Sequence, residues 1–518
     1  MKSKDHSLIT LSISLTFIII LSALAINGSI PMKSSQVVFA QVSTNSTTSL
    51  DNSSYKFERG YPVGETANLA YDNADLSRAT EAYKFFFPTM VTEAQMQVIS
   101  PSDKPNEVGV KFAAGPAHQV FTANSDTPYA FAMLDLKTAG PIVIDVPQGN
   151  FLGGASDHNM RWILDIGLPG PDKGQGGKHL ILPPGYKGKV PEGYYVGKSD
   201  TWKVFFGLRS LSKLGNTTKA LQDFDNVKVY PLDKAPDPVT FKFIDVTNST
   251  LPNRLLNWEN NLTYWQQLKS VIDDETTPVD FRPIYGMLQS LGIEKGKPFN
   301  PDSRMTKILE EATNNAQAEL RVSAYANREP QRIVWRDRNW EWLPLRQLNA
   351  TTKDMGTASF LDLQAMDNAY FQAIGASPVM GKREVGAGSI YFAAFRDNAG
   401  SYLDGSNNYK LSFPGPVPGN LFWSATVYDV DTRSEIATDQ NKAAVRSLFE
   451  KPEPNPDGSY DIYFGPTVPV GKENQWVKTI PDKGFFVYFR IYGPEAPAFN
   501  GAWKLKNIVE TMISYNPL

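Results

Sequence analysis

One turn sequence is the strongest candidate for a binding or catalytic site. Asn124 and Asp126 stand just before Thr127-Pro128, and Tyr129 then opens an apolar run. Asn and Asp in this position form hydrogen-bonded turns, which can present an amide and a carboxylate at the mouth of a sheet. Turn formation alone explains the same residues, because Asp126 can simply accept backbone N–H groups. Asn124, Asp126 and Tyr129 are therefore predicted ligand-binding residues, and Asp126 is also a catalytic candidate.

Three histidines are candidate metal ligands. His118, His158 and His179 fall in one half of the chain, and Asp126 or Asp157 could complete or orient the set. Imidazoles bind zinc, manganese and iron. No two of them stand at the i, i+2 or i, i+4 spacing of compact ligand motifs, so they would have to converge from separate loops. A divalent metal is one cofactor that the sequence allows, and His118 and His158 are also catalytic candidates.

Arg161 and Asp165 lie four residues apart. On a strand they would face the same side and could pair across a cleft. A buried ion pair is equally consistent with this spacing. Both are retained as catalytic candidates.

An arginine between two tyrosines marks a second candidate binding site. Tyr488, Arg490 and Tyr492 share one face of a predicted strand, an arrangement suited to holding a carboxylate or stacking a sugar ring. The alternative is a cross-strand pair of Arg490 with an acid such as Asp461.

Acidic residues after another predicted strand could bind calcium. Asp429, Asp431 and Glu435 supply the carboxylate oxygens that this ion prefers. Such clusters are also common in solvated loops.

Several function classes are excluded or disfavoured. The 518 residues contain no Gly-x-Ser-x-Gly, no His-Glu-x-x-His and no Walker loop, and the glycines before Lys178 have the wrong spacing for one. A net charge of −3 without a basic run disfavours nucleic-acid binding. Zero cysteines exclude disulfides and thiol nucleophiles.

Short apolar or alternating runs predict the strands that must position these residues. In the first half they cover 108–112, 120–121, 129–134, 142–144, 204–208, 220–221 and 227–230. In the second half, residues 421–428 and 485–492 alternate cleanly between two faces, with hairpin turns predicted at Asp404-Gly405 and Asp457-Gly458.

Helical periodicity appears at both sides of the first set of strands. A helix is predicted from Asp75 to Pro88, and two more over 303–324 and 360–374, the latter ended by Gly375. The residues from about 258 to 375 are thus interpreted as a helical connector that packs on the sheets. The tryptophans and arginines of 328–346 are interpreted as a packing surface.

The same segments resemble two known families. FTANSDTPYA at 121–130, DIGLPGPDKG at 165–174 and LPPGYKG at 182–188 resemble the domain-of-unknown-function family 1254 (DUF1254). YLDG at 402–405, FWSATVYD at 422–429, NPDGS at 455–459, YFGP at 463–466 and YFRIYGP at 488–494 resemble family 1214 (DUF1214), in its order. The resemblance implies two β-rich, sandwich-like domains joined by helices, in exported proteins, and it supplies no catalytic residues.

The predicted fold class is mainly β with α, with two antiparallel β-sandwich-like domains joined by a helical connector. The predicted boundaries are 1–40 for a signal peptide or membrane anchor and 41–57 for a disordered tether. The N-terminal domain is placed at 58–246, the connector at 247–385 and the C-terminal domain at 386–518.

The N-terminus predicts an extracytoplasmic protein. Lys2 and Lys4 precede an uncharged run over 8–26, and residues 38–40 offer a cleavage site. The run is close to the ~20 residues that span a bilayer, so cleavage and retention as an anchor both stay open. Six sequons fit export through a glycosylating machinery, at Asn45, Asn52, Asn216, Asn248, Asn261 and Asn349.

Two function classes follow from these observations. The first is an exported module that binds a small molecule, a glycan or an envelope protein through its loops. The second is an extracytoplasmic, metal-assisted hydrolase that uses His118, His158, Asp126 and Arg161. Membrane contact is expected only through the N-terminal segment, and an oligomer is allowed.

Overall fold

The computed structural model describes residues 55–100, 105–211, 215–235, 241–343, 348–386 and 388–511. The predicted export segment and most of the tether lie outside these residues, as do the sequons at Asn45 and Asn52. A first unit ends at Pro62 and contains a hairpin of β1 (Phe57–Glu58) and β2 (Tyr61–Pro62). The second unit begins at Val63. Across the described ranges, no helix is both long enough and apolar enough to cross a membrane.

The first long helix, α1 (Thr66–Ile99), begins earlier and ends later than predicted. Pro88 lies inside it, so the predicted stop at Pro88 is wrong. Proline removes one backbone hydrogen bond and crowds the preceding turn. Here burial outweighs that penalty, because Phe87 and Val91 beside it are each 1% exposed in a helical core.

Strands β3 to β12 form two sheets in the N-terminal region. Their bounds are β3 (Val108–Phe112), β4 (Tyr129–Asp135), β5 (Ile142–Val146), β6 (Phe151–Asp157), β7 (Trp162–Gly167), β8 (Gly177–Leu182), β9 (Tyr195–Lys198), β10 (Lys203–Ser210), β11 (Lys228–Pro231) and β12 (Lys242–Asp245). One sheet has the order β12-β3-β4-β10-β6-β7 and the other β11-β5-β8-β9. Ala132, Ile144 and Phe206 share the fully buried core between the sheets.

Two of the predicted strands are wrong. Residues 120–121 form no strand, and residues 220–221 lie in helix α3 (Thr217–Asp223), which follows the four-residue α2 (Leu136–Ala139). The side chain of Asn216 caps α3 by accepting a hydrogen bond from the N–H of Lys219. This capping signal favours a helix over a strand.

Four further helices form a layer with α1. They are α4 (Thr263–Asp274), α5 (Arg282–Ser290), α6 (Ser303–Tyr325) and α7 (Leu363–Tyr370). The predicted start of α6 is confirmed, since Asp302 accepts a hydrogen bond from Met305 N at 2.7 Å. Helix α7 is shorter than predicted. The rings of Tyr83 in α1 and Tyr264 in α4 stack at 3.8 Å, so α1 belongs to this layer although the predicted boundaries assign it to the N-terminal domain.

The C-terminal region contains a second pair of sheets. Its strands are β13 (Glu341–Trp342), β14 (Ser389–Ala394), β15 (Tyr409–Phe413), β16 (Gly419–Asp429), β17 (Ala444–Arg446), β18 (Tyr460–Gly465), β19 (Trp476–Lys478), β20 (Phe485–Pro494) and β21 (Val509–Glu510). The sheet orders are β13-β14-β20-β16-β17 and β19-β18-β15-β21. Val427 and Phe489 pack in the core between the sheets, together with Trp335 and Trp340.

The fold class is therefore confirmed as mainly β with helices and sandwich-like domains. Most strand pairs are antiparallel, and three parallel pairs depart from the prediction: β12 with β3, β8 with β9, and β18 with β19. Each of the three involves a strand at the edge of its sheet.

Candidate functional site

A cavity of about 310 Å³ lies in the second unit, between the six-stranded N-terminal sheet, the helical layer and the five-stranded C-terminal sheet. One face of the six-stranded sheet lines it through β4, β10, β6 and β7. The end of α7 and the segment 372–380 form another part of the wall, and β14 and β20 of the C-terminal sheet a third. The lining is mainly apolar, with Asn124, Asp165, Arg209, Tyr391 and Arg490 among its polar side chains.

The turn at 124–129 connects the N-terminal sheet to the C-terminal one. Asn124 Oδ1 accepts the N–H of Asp126 at 3.1 Å, and Asn124 Nδ2 donates to the Tyr129 hydroxyl at 3.0 Å. Asp126 Oδ2 in turn accepts from Ser424 Oγ at 2.8 Å and from the Tyr492 hydroxyl at 2.9 Å. Asn124 and Tyr129 line the cavity. Asp126 does not line it, and instead binds Ser424 and Tyr492 of the C-terminal sheet.

Arg209 is a site residue that the sequence did not indicate. It alternates with Phe205 and Gly207 along β10 and therefore shares their cavity-facing side. Its Nε donates to Thr127 at 2.8 Å, and its Nη2 donates to the Tyr492 hydroxyl at 3.2 Å. The alternating pattern of β10 could have placed Arg209 on the cavity-facing side. The predicted strand stopped at residue 208, however, one residue before Arg209.

Arg490 occupies the facing sheet and is 2% exposed. It donates to Thr426 Oγ1 at 3.0 Å, to the Tyr428 hydroxyl at 2.6 Å and to Thr122 O at 3.1 Å. Its Nε has no hydrogen-bond partner among the described residues. The predicted face is present, because Arg490 lies 5.4 Å from the ring of Tyr488.

The alternative pairing of Arg490 with Asp461 is wrong. Asp461 Oδ1 accepts a hydrogen bond from Ser412 at 2.5 Å, and Asp461 Oδ2 lies 3.6 Å from Lys410 Nζ. These partners stand on β15, in the other C-terminal sheet. The alternation of side chains along a strand shows which face of the sheet a residue occupies. It does not show which element packs against that face.

Tyr391 is the second residue that the sequence did not indicate. It is the direct cross-strand partner of Arg490, and its hydroxyl accepts from Ser389 Oγ at 3.0 Å. Burial raises the pKa of Tyr391, but the guanidiniums of Arg209 and Arg490 outweigh burial and hold this pKa below its ordinary value of 10.0. At Tyr129, by contrast, burial outweighs the same two arginines and the pKa is raised.

Asp165 lines a different part of the cavity. It is 7% exposed, and burial raises its pKa to about 6, against the opposing effect of a hydrogen bond with Ser377. The predicted pairing with Arg161 is wrong. Arg161 lies just before β7 and contacts Asp157 at 3.1 Å, Asp200 at 3.0 Å and Asp280 at 2.9 Å.

The three histidines do not converge. His118 Nδ1 accepts the N–H of Gly115, and its Nε2 lies 3.3 Å from Val246 O. His158 lies between Glu93 and Glu275, and His179 lies 3.3 Å from Asp172.

The calcium candidates also diverge. Asp429 accepts the backbone N–H of Asp431, while the side chain of Asp431 lies 3.0 Å from Arg321. Glu435 is buried near Arg446, and burial raises its pKa to about 7. Within the described ranges, no group of three His, Cys, Asp or Glu residues could hold a metal ion. Neither predicted metal set is therefore assembled in this fold.

Two family models match the chain. The model for the protein of unknown function DUF1254 matches residues 106–231, and the model for the protein of unknown function DUF1214 matches residues 388–496. The chain therefore contains a DUF1254 region and a DUF1214 region in a two-domain arrangement. In this DUF1254/DUF1214 protein, Arg209 comes from the first matched region and Tyr391 and Arg490 from the second, so that the cavity needs both.

One solved structure shows the same fold, and a second is a weaker match. The VPA0106 protein from Vibrio parahaemolyticus is 18% identical, with a TM-score of 0.51 over 85% of this chain and 100% of that one. A protein from Burkholderia cenocepacia is 12% identical, with a TM-score of 0.37 over 86% of this chain and 97% of that one. No curated protein matches the chain.

Proposed function

We propose that this DUF1254/DUF1214 protein is an exported binding protein whose cavity holds a small organic anion. The observation that carries the proposal is the unpartnered Nε of Arg490 in a buried, mainly apolar cavity. A buried charged donor without a partner costs free energy, and an anionic ligand would remove that cost. Arginine is well suited to carboxylate recognition because its guanidinium is a planar fork of donors.

The balance of charge around the cavity supports an anion. Arg490 lies near one carboxylate, Asp126, and Arg209 is linked to the same carboxylate through the Tyr492 hydroxyl. The second nearby carboxyl, Glu435, has a pKa of about 7 and is only partly ionised at neutral pH. The same two arginines hold the pKa of Tyr391 below its ordinary value.

The size of the cavity favours a small molecule over a glycan chain or an envelope protein. Its volume of about 310 Å³ is at the lower end of the ~300–1,000 Å³ typical of ligand pockets. The hydrolase alternative has less support, because His118, His158 and Arg161 do not line this cavity.

Export supports a role in capturing or carrying a solute outside the cytoplasm. The basic residues Lys2 and Lys4 and the apolar run at 8–26 favour this location. Cleavage would release the protein, and retention would anchor it to the outer face of the membrane.

The test is isothermal titration calorimetry of the full chain with hexanoate, benzoate and cinnamate, each compared with the corresponding uncharged alcohol. We expect at least one acid to bind and its alcohol not to bind. Replacing one partner of a desolvated charge pair costs about 2–5 kcal/mol, so Arg490→Met should weaken the bound acid by roughly 30-fold or more.

Arg446→Met is the matched control. Arg446 stands on β17 opposite Ser424, in the same cross-strand row as Arg490, but it pairs with Glu450 at 2.6 Å and does not line the cavity. This variant should bind the acid within about threefold of the unmodified chain. Equal binding of acid and alcohol, full retention of binding by Arg490→Met, or no binding of any acid would each refute the proposed function.

A further inference from the structure

One part of the cavity wall, here called the floor, exposes backbone at two glycines between Phe131 and Asp165. Phe131, Gly207, Gly154 and Asp165 are successive cross-strand partners on β4, β10, β6 and β7. Residues in such a row point to the same face of a sheet. Between Phe131 and Asp165, two neighbouring positions therefore carry no side chain.

The two glycines occupy positions with little spare room. A Cβ at Gly154 would come within 2.5 Å of Leu164 O, which is backbone and cannot move aside. A Cβ at Gly207 would lie 3.2 Å from the ring of Phe131. A flat floor beside Phe131 and Phe205, which both line the cavity, suits a planar ring.

Polar groups stand at two separated points of this floor. Arg209 is two residues from Gly207 along β10, and Asp165 is two strands away from β10. Strand spacing of about 4.8 Å and a rise of about 3.4 Å per residue put their Cα atoms about 12 Å apart. This separation favours a molecule that lies along the floor over a lone small anion.

Asp165 requires hydrogen-bond donors. An ionised carboxylate has about four acceptor sites, and hydrogen bonds with Ser377 and Trp162 fill two of them. The carboxyl is buried in a cavity that is mainly apolar, where an additional donor from a ligand would be strongly favoured.

We propose that the ligand is a planar aromatic carboxylic acid with a hydroxyl group at the end remote from its carboxylate. Its carboxylate lies between Arg209 and Arg490, its ring lies on the Gly207–Gly154 floor, and its hydroxyl donates to Asp165. This inference rests on the proposed function and names the ligand class for the same cavity.

The test compares three acids on the full chain by titration calorimetry: 4-hydroxycinnamate, cinnamate and 3-cyclohexylpropanoate. Hydrogen bonds to a charged acceptor are strong, so 4-hydroxycinnamate should bind about tenfold or more tighter than cinnamate. The non-planar cyclohexyl acid should bind more weakly than cinnamate. In Asp165→Asn the advantage of the hydroxyl should fall to about threefold or less, while the affinity for cinnamate stays unchanged.

Gly207→Ala tests the floor. The added methyl group should weaken both aromatic acids by about tenfold, whereas Gly286→Ala, in helix α5 with nothing within 4 Å, should leave them unchanged.

The possible failures are distinguishable. Equal binding of 4-hydroxycinnamate and cinnamate, with both lost in Arg490→Met, would overturn this inference and leave the proposed function standing. Tight binding of the cyclohexyl acid would overturn the planar floor. If none of these acids binds, this inference falls together with the proposed function.

Discussion

Two buried clusters of charge in this protein differ in how their charges are matched. The first, here called the closed network, joins the N-terminal sheet to the helical layer; its members are Glu93, Asp157, His158, Arg161, Asp200, Glu275 and Asp280. The second, the cavity cluster, joins the N-terminal sheet to the C-terminal sheet; its members are Asp126, Arg209, Tyr391 and Arg490. Sequence reasoning assigned candidate functional residues to both.

In the closed network each cation has carboxylate partners. His158 has Glu93 at 3.1 Å on one ring nitrogen and Glu275 at 3.0 Å on the other. Arg161 has three aspartates. A space of about 10 Å³ lies beside Arg161, enough for no more than one water.

In the cavity cluster, Arg490 lies near Asp126 and Arg209 is linked to that carboxylate through the Tyr492 hydroxyl, beside about 310 Å³ of free volume. Both clusters contain arginine and aspartate side chains. What separates a structural cluster from a candidate site is therefore the match of charges and the space beside them. Each prediction below tests this contrast.

The largest effect is expected from Glu275→Ala in the closed network. Glu275 accepts from His158 and from the backbone N–H groups of Trp202 and Lys203, at 2.6 and 2.9 Å for the latter two. Removing one partner of a buried ion pair should lower the free energy of unfolding by roughly 3–5 kcal/mol. Urea unfolding measures this loss, with the surface variant Glu294→Ala as control. A loss below about 1 kcal/mol would show that the network does not hold the helical layer to the sheet.

The next effect is a loss of stability at alkaline pH. Burial lowers the pKa of His158, but Glu275 and Glu93 outweigh it and raise that pKa to about 9. Protonated His158 therefore contributes its full stabilising free energy below pH 6.5. This contribution falls as the pH rises, because the unfolded chain loses the proton first. It is gone above about pH 9. Raising the pKa from 6.5 to about 9 corresponds to about 3 kcal/mol of stability.

Unfolding free energies at pH 6, 8 and 10 test the role of His158. In His158→Gln, the free energy of unfolding should fall by about 3 kcal/mol less between pH 6 and 10 than it does in the unmodified chain. If the unmodified chain and the variant show the same pH dependence, His158 is not the titrating group.

At Asp165, which lines the cavity outside the cavity cluster, a substitution should change stability with the opposite sign. Burial raises the pKa of Asp165 to about 6, so its ionised form destabilises the fold and the penalty grows as the pH rises from 3.8 to 6. Asp165→Asn should therefore raise the free energy of unfolding at pH 8 by about 1–3 kcal/mol, without effect at pH 3. Thermal and urea unfolding at both pH values measure the difference. Destabilisation at pH 8 would place Asp165 among the structural charges.

The smallest effect is expected at the exposed end of the closed network. The Asp200 side chain is 42% exposed and contacts Arg161 at 3.0 Å and Lys353 at 3.1 Å. Asp200→Asn should lower stability by no more than about 1 kcal/mol, and less in high salt. Urea unfolding at 0.05 and 1 M NaCl tests this. A loss as large as that of Glu275→Ala would mean that solvent does not screen this end of the network.

Local sequence signals predicted much of the fold and part of the site. The alternation of β16 and β20 placed Arg490 and Tyr488 on one face, and the Asn124-Asp126 turn was recognised from its residue types. Asp302 marked the start of α6. These signals depend on neighbours a few residues apart, which a sequence displays directly.

Other features depended on partners far along the chain. Helix α1 continues through Pro88 because distant helices cover it. Arg161 and Asp165 are four residues apart, yet they contact different elements, since β7 begins only after Arg161. Tyr391 attracts no notice in the sequence, because its two arginines stand 182 residues before it and 99 residues after it.

The sequence by itself determined the class of fold, the family and the faces of the long strands, because alternation, capping and turn chemistry are local. Only the tertiary structure decided which polar residues share a cavity and which are neutralised. Charge matching is a property of side chains brought together from separate sheets and helices. For this reason Arg209, Tyr391 and Arg490 form a candidate anion site, while His158 and Arg161 hold the fold together.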